Sequence, residues 1–314
     1  MRVGIDIGGM SIKIGLVDES YQITAKKVIP TEADKKTPRQ IIEAMACAIS
    51  SLLNENEVST HDCKGIGIAC PGTVDAESGR VIYSNNIDWK EVPILDWMRE
   101  HFAIPMALAN DADAAALGEV LAGAAVGKEH AILITLGTGV GGGVILDKKI
   151  FAGPLRGGCE LGHTVLHMGG RLCTCGRRGC LETYASATAL MKSATAAAIN
   201  HPQSTMYQLY QNNGEKMDGR MVFEAGEAGD EVACEVLEEY ENYLSEGIAN
   251  FVNIFRPQVV ILGGGVSNQK EKLTKPLQEK VKKMCFGGEN GEIPPIVTSV
   301  LGNDAGIIGA AFIE

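Results

Sequence analysis

Three thiols fall within eight residues, at Cys173, Cys175 and Cys180, with Gly176 and Gly179 between them to let the chain fold back around an ion. Thiols clustered in this way are the ligands of a tetrahedral zinc site, which needs a fourth donor. His163, ten residues before Cys173, is the good candidate, and His167, six residues before it, competes. Four protein ligands leave the ion no open position, so such a zinc braces the chain and does not act as a Lewis acid. Glu160 and Glu182 flank the motif, and chelation would hold their carboxylates close together. Carboxylates accept hydrogen bonds from hydroxyls, the chemistry a polyol requires. Without the metal they read as solvent-facing acids in loops.

A second kind of chemistry sits in three glycine turns that follow apolar runs: Asp6-Ile7-Gly8-Gly9, the segment Gly137 to Gly143, and Gly263-Gly264-Gly265. Glycine permits positive φ and close backbone approach, so N–H groups can face phosphate oxygens. Asp6 ends the first apolar run, where it either holds Mg²⁺ through water or caps its own turn. Asn110-Asp111 stands between an apolar run and an alanine-rich segment. That is the place of a helix N-cap, and also of a carboxylate that takes a proton from a hydroxyl attacking phosphorus.

Alternating short elements carry these residues. Arg2 to Ile7, Ile12 to Val17 and Tyr21 to Ile29 read as three antiparallel strands, and Pro38 to Asn54 as a helix with Ile41, Ile42, Met45, Ile49, Leu52 and Leu53 on one face. Gly65 to Ala69 and Met106 to Ala109 read as strands, and Ala112 to Ala122 as a helix. Asp230 to Ile254 reads as a long helix, Val259 to Leu262 as a strand, and Asp304 to Phe312 as a final helix. Ile7 to Asp18 and Leu136 to Asp147 repeat one pattern at a constant offset of 129 residues, with Gly8 matching Gly137. An internal duplication implies two similar lobes.

Bulk properties narrow the class. A chain of 314 residues exceeds the usual size of one hydrophobic core, and 45 % hydrophobic with 21 % charged residues is ordinary globular usage. A formal charge of −11 with no basic run disfavours nucleic acid and anionic membrane as partners. The opening Met1-Arg2-Val3-Gly4-Ile5-Asp6 lacks the apolar stretch of a signal peptide, which points to the cytoplasm. No apolar run approaches the roughly 20 residues of a membrane span. Nine cysteines, an odd number, favour metal binding over a disulfide framework in such a chain.

Taken together, the motifs resemble the ROK family of repressors and kinases, in particular its bacterial glucokinases. The residues that carry the resemblance are Glu160-Leu161-Gly162-His163, the run from Cys173 to Glu182, Asn110-Asp111-Ala112, the loop Leu136 to Gly143 and Asp6-Ile7-Gly8-Gly9. The resemblance implies an α/β protein with the duplicated ribonuclease-H-like (actin-like ATPase) fold, its two lobes around a central cleft. The expected division is a lobe of residues 1–110 completed by a terminal helix at about 303–314, and a second lobe of 111–302 with the zinc motif. The implied activity is that of an ATP-dependent hexokinase acting on the 6-hydroxyl of a hexose, glucose first, with Asp111 as base. Asn86, Asn110, Asp111, Glu160, His163 and Glu182 are the implied sugar ligands, and His163, Cys173, Cys175 and Cys180 hold structural Zn²⁺. ATP and Mg²⁺ are assigned to Asp6, Gly8, Gly9, Ser11, Lys13, Thr138, Gly139, Gly141, Gly264 and Gly265. A homodimer or homotetramer is the implied assembly.

The family's first phosphate turn reads Asp-x-Gly-Gly-Thr, and here Met10 takes the place of the threonine, followed by Ser11. A thioether donates no hydrogen bond. The alternatives are another ROK sugar kinase, acting on N-acetylmannosamine, fructose, allose or a β-glucoside, and a non-catalytic sugar-sensing protein. The family's repressors carry a helix-turn-helix domain ahead of the core. A first strand opening at Arg2 and an acidic balance argue against one here.

Overall fold

The structure is a computed structural model that describes residues 1–154 and 157–313. Strands β1 (Arg2–Ile7), β2 (Ser11–Val17) and β3 (Ile23–Pro30) form an antiparallel meander. Helix α1 (Pro38–Glu55) follows, entered through a capping box in which Thr37 and Gln40 satisfy each other's backbone N–H, with Pro38 at the first position. All six apolar residues expected on its inner face are buried. β4 (Ile66–Cys70) runs parallel to β1. The small sheet of β5 (Thr73–Asp75), β6 (Arg80–Ser84) and β7 (Trp89–Val92) comes next, with Asn86 in the turn between β6 and β7. After α2 (Ile94–Arg99), β8 (Met106–Asn110) lies parallel to β4 and leads directly into α3 (Asp111–Ala122).

The second half repeats the plan. β9 (Ala131–Leu136), β10 (Val140–Leu146) and β11 (Lys149–Ile150) are followed by helices α4 (Glu182–Ala185), α5 (Ala187–Asn200), α6 (Thr205–Asn212), α7 (Gly219–Glu227) and α8 (Glu231–Phe255). β12 (Val259–Gly263), α9 (Glu271–Met284), β13 (Ile296–Thr298) and α10 (Ala305–Ala311) complete the chain. One five-stranded sheet has the order β3-β2-β1-β4-β8 and the other β11-β10-β9-β12-β13. The two orders correspond strand for strand, so the offset of 129 residues marks a duplicated unit. This is the duplicated ribonuclease-H-like (actin-like ATPase) fold.

Two compact units divide the chain elsewhere than at residue 110. The first takes Met1–Leu133, Gly143–Cys159 and the residues from Val300 onward; the second takes Ile134–Gly142 and Glu160–Ser299. The displacement has a physical cause: α3 carries small residues that pack against α10, which is fully buried. In the first unit α10 also lies on β1 and β4, where Gly4 and Gly67 leave room for the carbonyls of Ile307 and Ala310. Glu314, the end of the terminal helix expected at 303–314, lies outside the described residues.

The core of the first unit joins β1, β2 and β4 to α1 and α2 through Ile5, Ile14, Ile42, Met45, Ile49, Ile68 and Trp89. β3 is an edge strand, and its Lys26 and Lys27 place charge where a bare edge invites pairing. In the second unit α8 is the central helix. Asp230 caps it through the N–H groups of Val232 and Ala233, and Arg256 ends it in a left-handed conformation. Among the described residues no helix is long and apolar enough to cross a membrane.

Candidate functional site

The cysteine motif folds as a knuckle. Cys173 N–H donates to Arg177 O at 2.8 Å and Gly176 N–H to Cys173 O at 3.0 Å, while short bridges pair Val165 with Cys180 and Leu172 with Arg178. Gly176 and Gly179 have φ of 87° and 86°, the left-handed region that glycine enters without strain. The ligand atoms of His163, Cys173, Cys175 and Cys180 all lie within 4.8 Å of one another. Bond lengths of about 2.3 Å to sulfur and 2.0 Å to nitrogen in a tetrahedron require S···S edges near about 3.8 Å and S···N edges near about 3.6 Å. The Cys175 and Cys180 sulfurs are 3.7 Å apart, and Cys173 Sγ is 3.6 Å from His163 Nδ1. The donor set fits zinc in number, type and spacing.

His167, the competing ligand, is not part of this group; its ring faces Tyr184 with centroids 6.3 Å apart. All nine cysteines are free of disulfides. Burial pushes the Cys180 thiol up to about 12 and raises that of Cys173, whereas the Arg177 backbone N–H lowers that of Cys175. Three thiols at this spacing cannot all ionise without a cation, so metal uptake would release protons.

Glu182, the first residue of α4, joins this knuckle to the second glycine turn. Its Oε2 accepts the Val140 N–H at 3.1 Å, and its Oε1 lies 3.4 Å from the Thr174 hydroxyl and 3.6 Å from Cys173 Sγ. Gly139 admits the carboxylate because a side chain there would collide with it. Thr138, Glu182, Arg171 and Lys192 are among the residues lining a cavity of about 410 Å³. Glu160 is exposed, and its carbonyl accepts the His163 N–H at 3.1 Å in the 3₁₀ turn Leu161–His163.

The third turn packs on the second, since Gly264 stands over the Leu136 backbone. Its φ is 82°; Gly8, Gly9, Gly139 and Gly141 do not have positive φ. The positive φ expected across the glycine turns is therefore confined to the third, and Gly139 answers to close approach instead. Beside Gly265 opens a cavity of about 440 Å³ walled by Leu190, Met191, Phe223 and Val266, with Arg220 and Gln269 at its polar side. A flat heteroaromatic ring and a polyhydroxyl group suit such a lining. The sequence reading missed these residues, which come from α5, α7 and the turn after β12.

In the first unit the candidate residues gather at the C-terminal ends of the adjacent parallel strands β1, β4 and β8, the place where open α/β sheets bind ligands. Asp6 pairs in register with Lys13 across the β1–β2 hairpin, and the Lys13 ammonium is 3.0 Å from its Oδ2. Cys70, at the end of β4, has its thiol raised by burial and then by the nearby charges of Asp111 and Asp6. Asn110 caps α3 by accepting the N–H groups of Ala112 and Asp113 and donates to Gly72 O at 3.0 Å. Its amide thus holds the turn that sets Asp111 at the first helical position, with Asp111 Oδ1 accepting the Ala112 N–H at 2.9 Å.

The first glycine turn is closed by Thr31, which donates its hydroxyl to Gly8 O at 2.6 Å and its N–H to Met10 O at 3.1 Å. The Met10 side chain stands in solvent, 90 % exposed. Asn86 is exposed beside this turn, its carbonyl next to Gly9. The six expected sugar ligands thus divide evenly: Asn86, Asn110 and Asp111 belong to the first unit, and Glu160, His163 and Glu182 to the second.

Comparison with known proteins places the chain in a family. A glucokinase of Halalkalibacterium halodurans is 36 % identical over 99 % of this chain and 94 % of its own. A ROK family glucokinase from Streptomyces griseus, solved with glucose and AMPPNP, is 34 % identical with a TM-score of 0.79, covering 99 % of this chain and 97 % of that one. The xylose repressor of Bacillus subtilis is 26 % identical over 99 % of this chain and 76 % of its own. The ROK family model matches residues 2–314, and the chain belongs to the ROK family.

Proposed function

We propose that this ATP-dependent sugar kinase transfers the γ-phosphoryl group of ATP to the 6-hydroxyl of a hexose, with glucose as its substrate and Asp111 as the general base. The observation that carries the reading is the junction of β8 and α3. The Asn110 cap fixes the turn, and Asp111 stands with Asp6 at the ends of the parallel strands. Asn86, Asn110, Glu160, His163 and Glu182 hold the sugar hydroxyls. Asp111 accepts the proton of the 6-hydroxyl as that oxygen bonds to the γ-phosphorus, and the bond to the bridging oxygen of ADP breaks in the same displacement.

The donor's adenosine fills the cavity beside Gly265, and the turns at Gly8 and Gly139 face its phosphates. Asp6 offers a hard carboxylate oxygen to hydrated Mg²⁺, with Lys13 beside it. Mg²⁺ supplies positive charge against the phosphates. The knuckle holds zinc, which keeps His163 and Glu182 in place. His163 gives Nδ1 to the metal and keeps Nε2 for a sugar hydroxyl, the usual division for a metal-bound imidazole.

A second reading, a sugar sensor without turnover, is favoured by the exposed Met10 in the phosphate turn and by the similarity to the xylose repressor. The test is ADP release with ATP and Mg²⁺ across glucose, other hexoses, N-acetylhexosamines and β-glucosides, on wild type and Asp111→Asn, with zinc determined on the same samples. Glucose turnover that Asp111→Asn abolishes while retaining sugar affinity is the expected result. Another preferred sugar would remove glucose, residual turnover would remove Asp111 as base, and sugar binding without turnover would install the sensor.

A further inference from the structure

Glu119 is 0 % exposed, on the last turn of α3, and belongs to none of the groups described above. Its carboxylate takes backbone N–H groups from two directions. Ala124 N–H donates to Oε2 at 2.7 Å, from the loop that leaves α3. Val300 N–H donates to Oε1 at 3.1 Å and Leu301 N–H to the same oxygen at 3.0 Å. Charge-assisted bonds of this kind are the stronger class of protein hydrogen bond.

The position of the clasp along the chain gives it meaning. Ser299 is the last residue of the second unit, and its N–H donates to Leu262 O there at 2.8 Å. Val300 is the first residue back in the first unit, and its N–H is held by Glu119. Two consecutive amides are therefore anchored in different units. Immediately afterwards the chain forms α10, which lies against α3 and β1 at once. Gly309 of α10 meets the Ala114 backbone of α3, and a methyl at Gly306 would come 3.0 Å from the Asp6 carboxyl carbon. α10 is thus the wedge between the helix that begins at Asp111 and the strand that carries Asp6.

We propose that Glu119 is a positioning residue: by clasping Val300 and Leu301 where the chain re-enters the first unit, it seats α10 and so fixes the spacing of Asp6 and Asp111. The proposal rests on the kinase reading for the roles of those two carboxylates. A shift of about 1 Å between reacting groups costs about 100-fold in rate, so loss of the clasp acts on turnover before it acts on binding.

The test compares wild type with Glu119→Gln, which keeps the side-chain shape but removes the charge and replaces one acceptor oxygen by an amide NH₂ donor, and with Gly306→Ala, which leaves the clasp and crowds Asp6. Amide hydrogen exchange at Val300 and Leu301, thermal melting, kcat and the sugar KM are read on each. In Glu119→Gln the two amides exchange at least about 10-fold faster, and kcat falls about 10- to 100-fold while the sugar KM stays within about 3-fold. Gly306→Ala lowers kcat in the same way without a change in exchange. Unchanged exchange in Glu119→Gln, or faster exchange with wild-type kcat, overturns the proposal. Should Glu119→Gln not fold, wild-type kcat in Gly306→Ala overturns it instead. Absence of turnover in wild type would count against the kinase reading, which the exchange data do not touch.

Discussion

Glu182 holds the Val140 N–H with one carboxylate oxygen at 3.1 Å while the other lies 3.6 Å from the Cys173 sulfur. One side chain therefore connects the cysteine knuckle with the loop proposed to hold the nucleotide phosphates. A residue that only bound sugar would, on truncation, raise the sugar KM alone. Glu182→Ala also strips the acceptor from the loop, so KM for sugar and for ATP both rise and kcat/KM falls about 10- to 100-fold, the worth of a charged hydrogen bond. Two-substrate kinetics decide this: an unchanged ATP KM would disprove the connection.

Removal of one proposed zinc ligand tests the proposed bracing of His163 and Glu182. Cys175→Ser is expected to drop zinc below stoichiometric content and to weaken sugar binding at least about 10-fold. Metal analysis and calorimetric sugar titration on the same preparation are the measurements. Zinc-free protein with wild-type sugar affinity would show that the knuckle stands without it.

Met10 projects from a turn whose backbone is already held by Thr31. Met10→Thr therefore restores a hydroxyl without disturbing a packed side chain, and KM for ATP falls about 3- to 10-fold, one ordinary hydrogen bond. Melting temperature stays unchanged. A rise in KM would mean that the thioether itself contacts the donor.

Glu241 on α8 keeps only 13 % of its side chain exposed, and burial raises its carboxyl from 4.5 to about 7, with Lys280 opposing and Glu238 adding to the shift. The folded state therefore holds a proton that the unfolded chain releases, and stability falls as pH rises from 4.5 to about 7. Glu241→Gln removes that loss. The variant gains about 1–3 kcal/mol at pH 8 and little at pH 4.5, as read by urea unfolding at both values. An equal gain at both pH values would separate the effect from ionisation.

The knuckle was legible because thiols at this spacing have few other uses, and the resemblance of Glu160-Leu161-Gly162-His163 to the family signature, not distance along the chain, favours His163 over the nearer His167. The amphipathic α1 and α8 were legible because their apolar residues recur at helical spacing. α9 was not assigned. Pro276 and seven charged residues mask its inner face, although Leu273, Leu277 and Val281 recur every four residues and are buried. The place of α3 also escaped, because alanine and glycine carry no periodic signal and its partner α10 lies far away in sequence. Glu119 was invisible for a related reason: a glutamate in a helix reads as solvent-facing, and only the fold brings Val300 to it. Of the glycine turns, sequence located all three but could not tell positive φ from close approach.

The wedge formed by α10 also orders events during synthesis. The ribosome makes all of the second unit before it makes the residues that fill the slot walled by Gly4, Gly67 and α3. Chains emerge N-terminus first, yet here the N-terminal unit closes last. The glycine-walled slot therefore stays unfilled until residues 305–311 have been made.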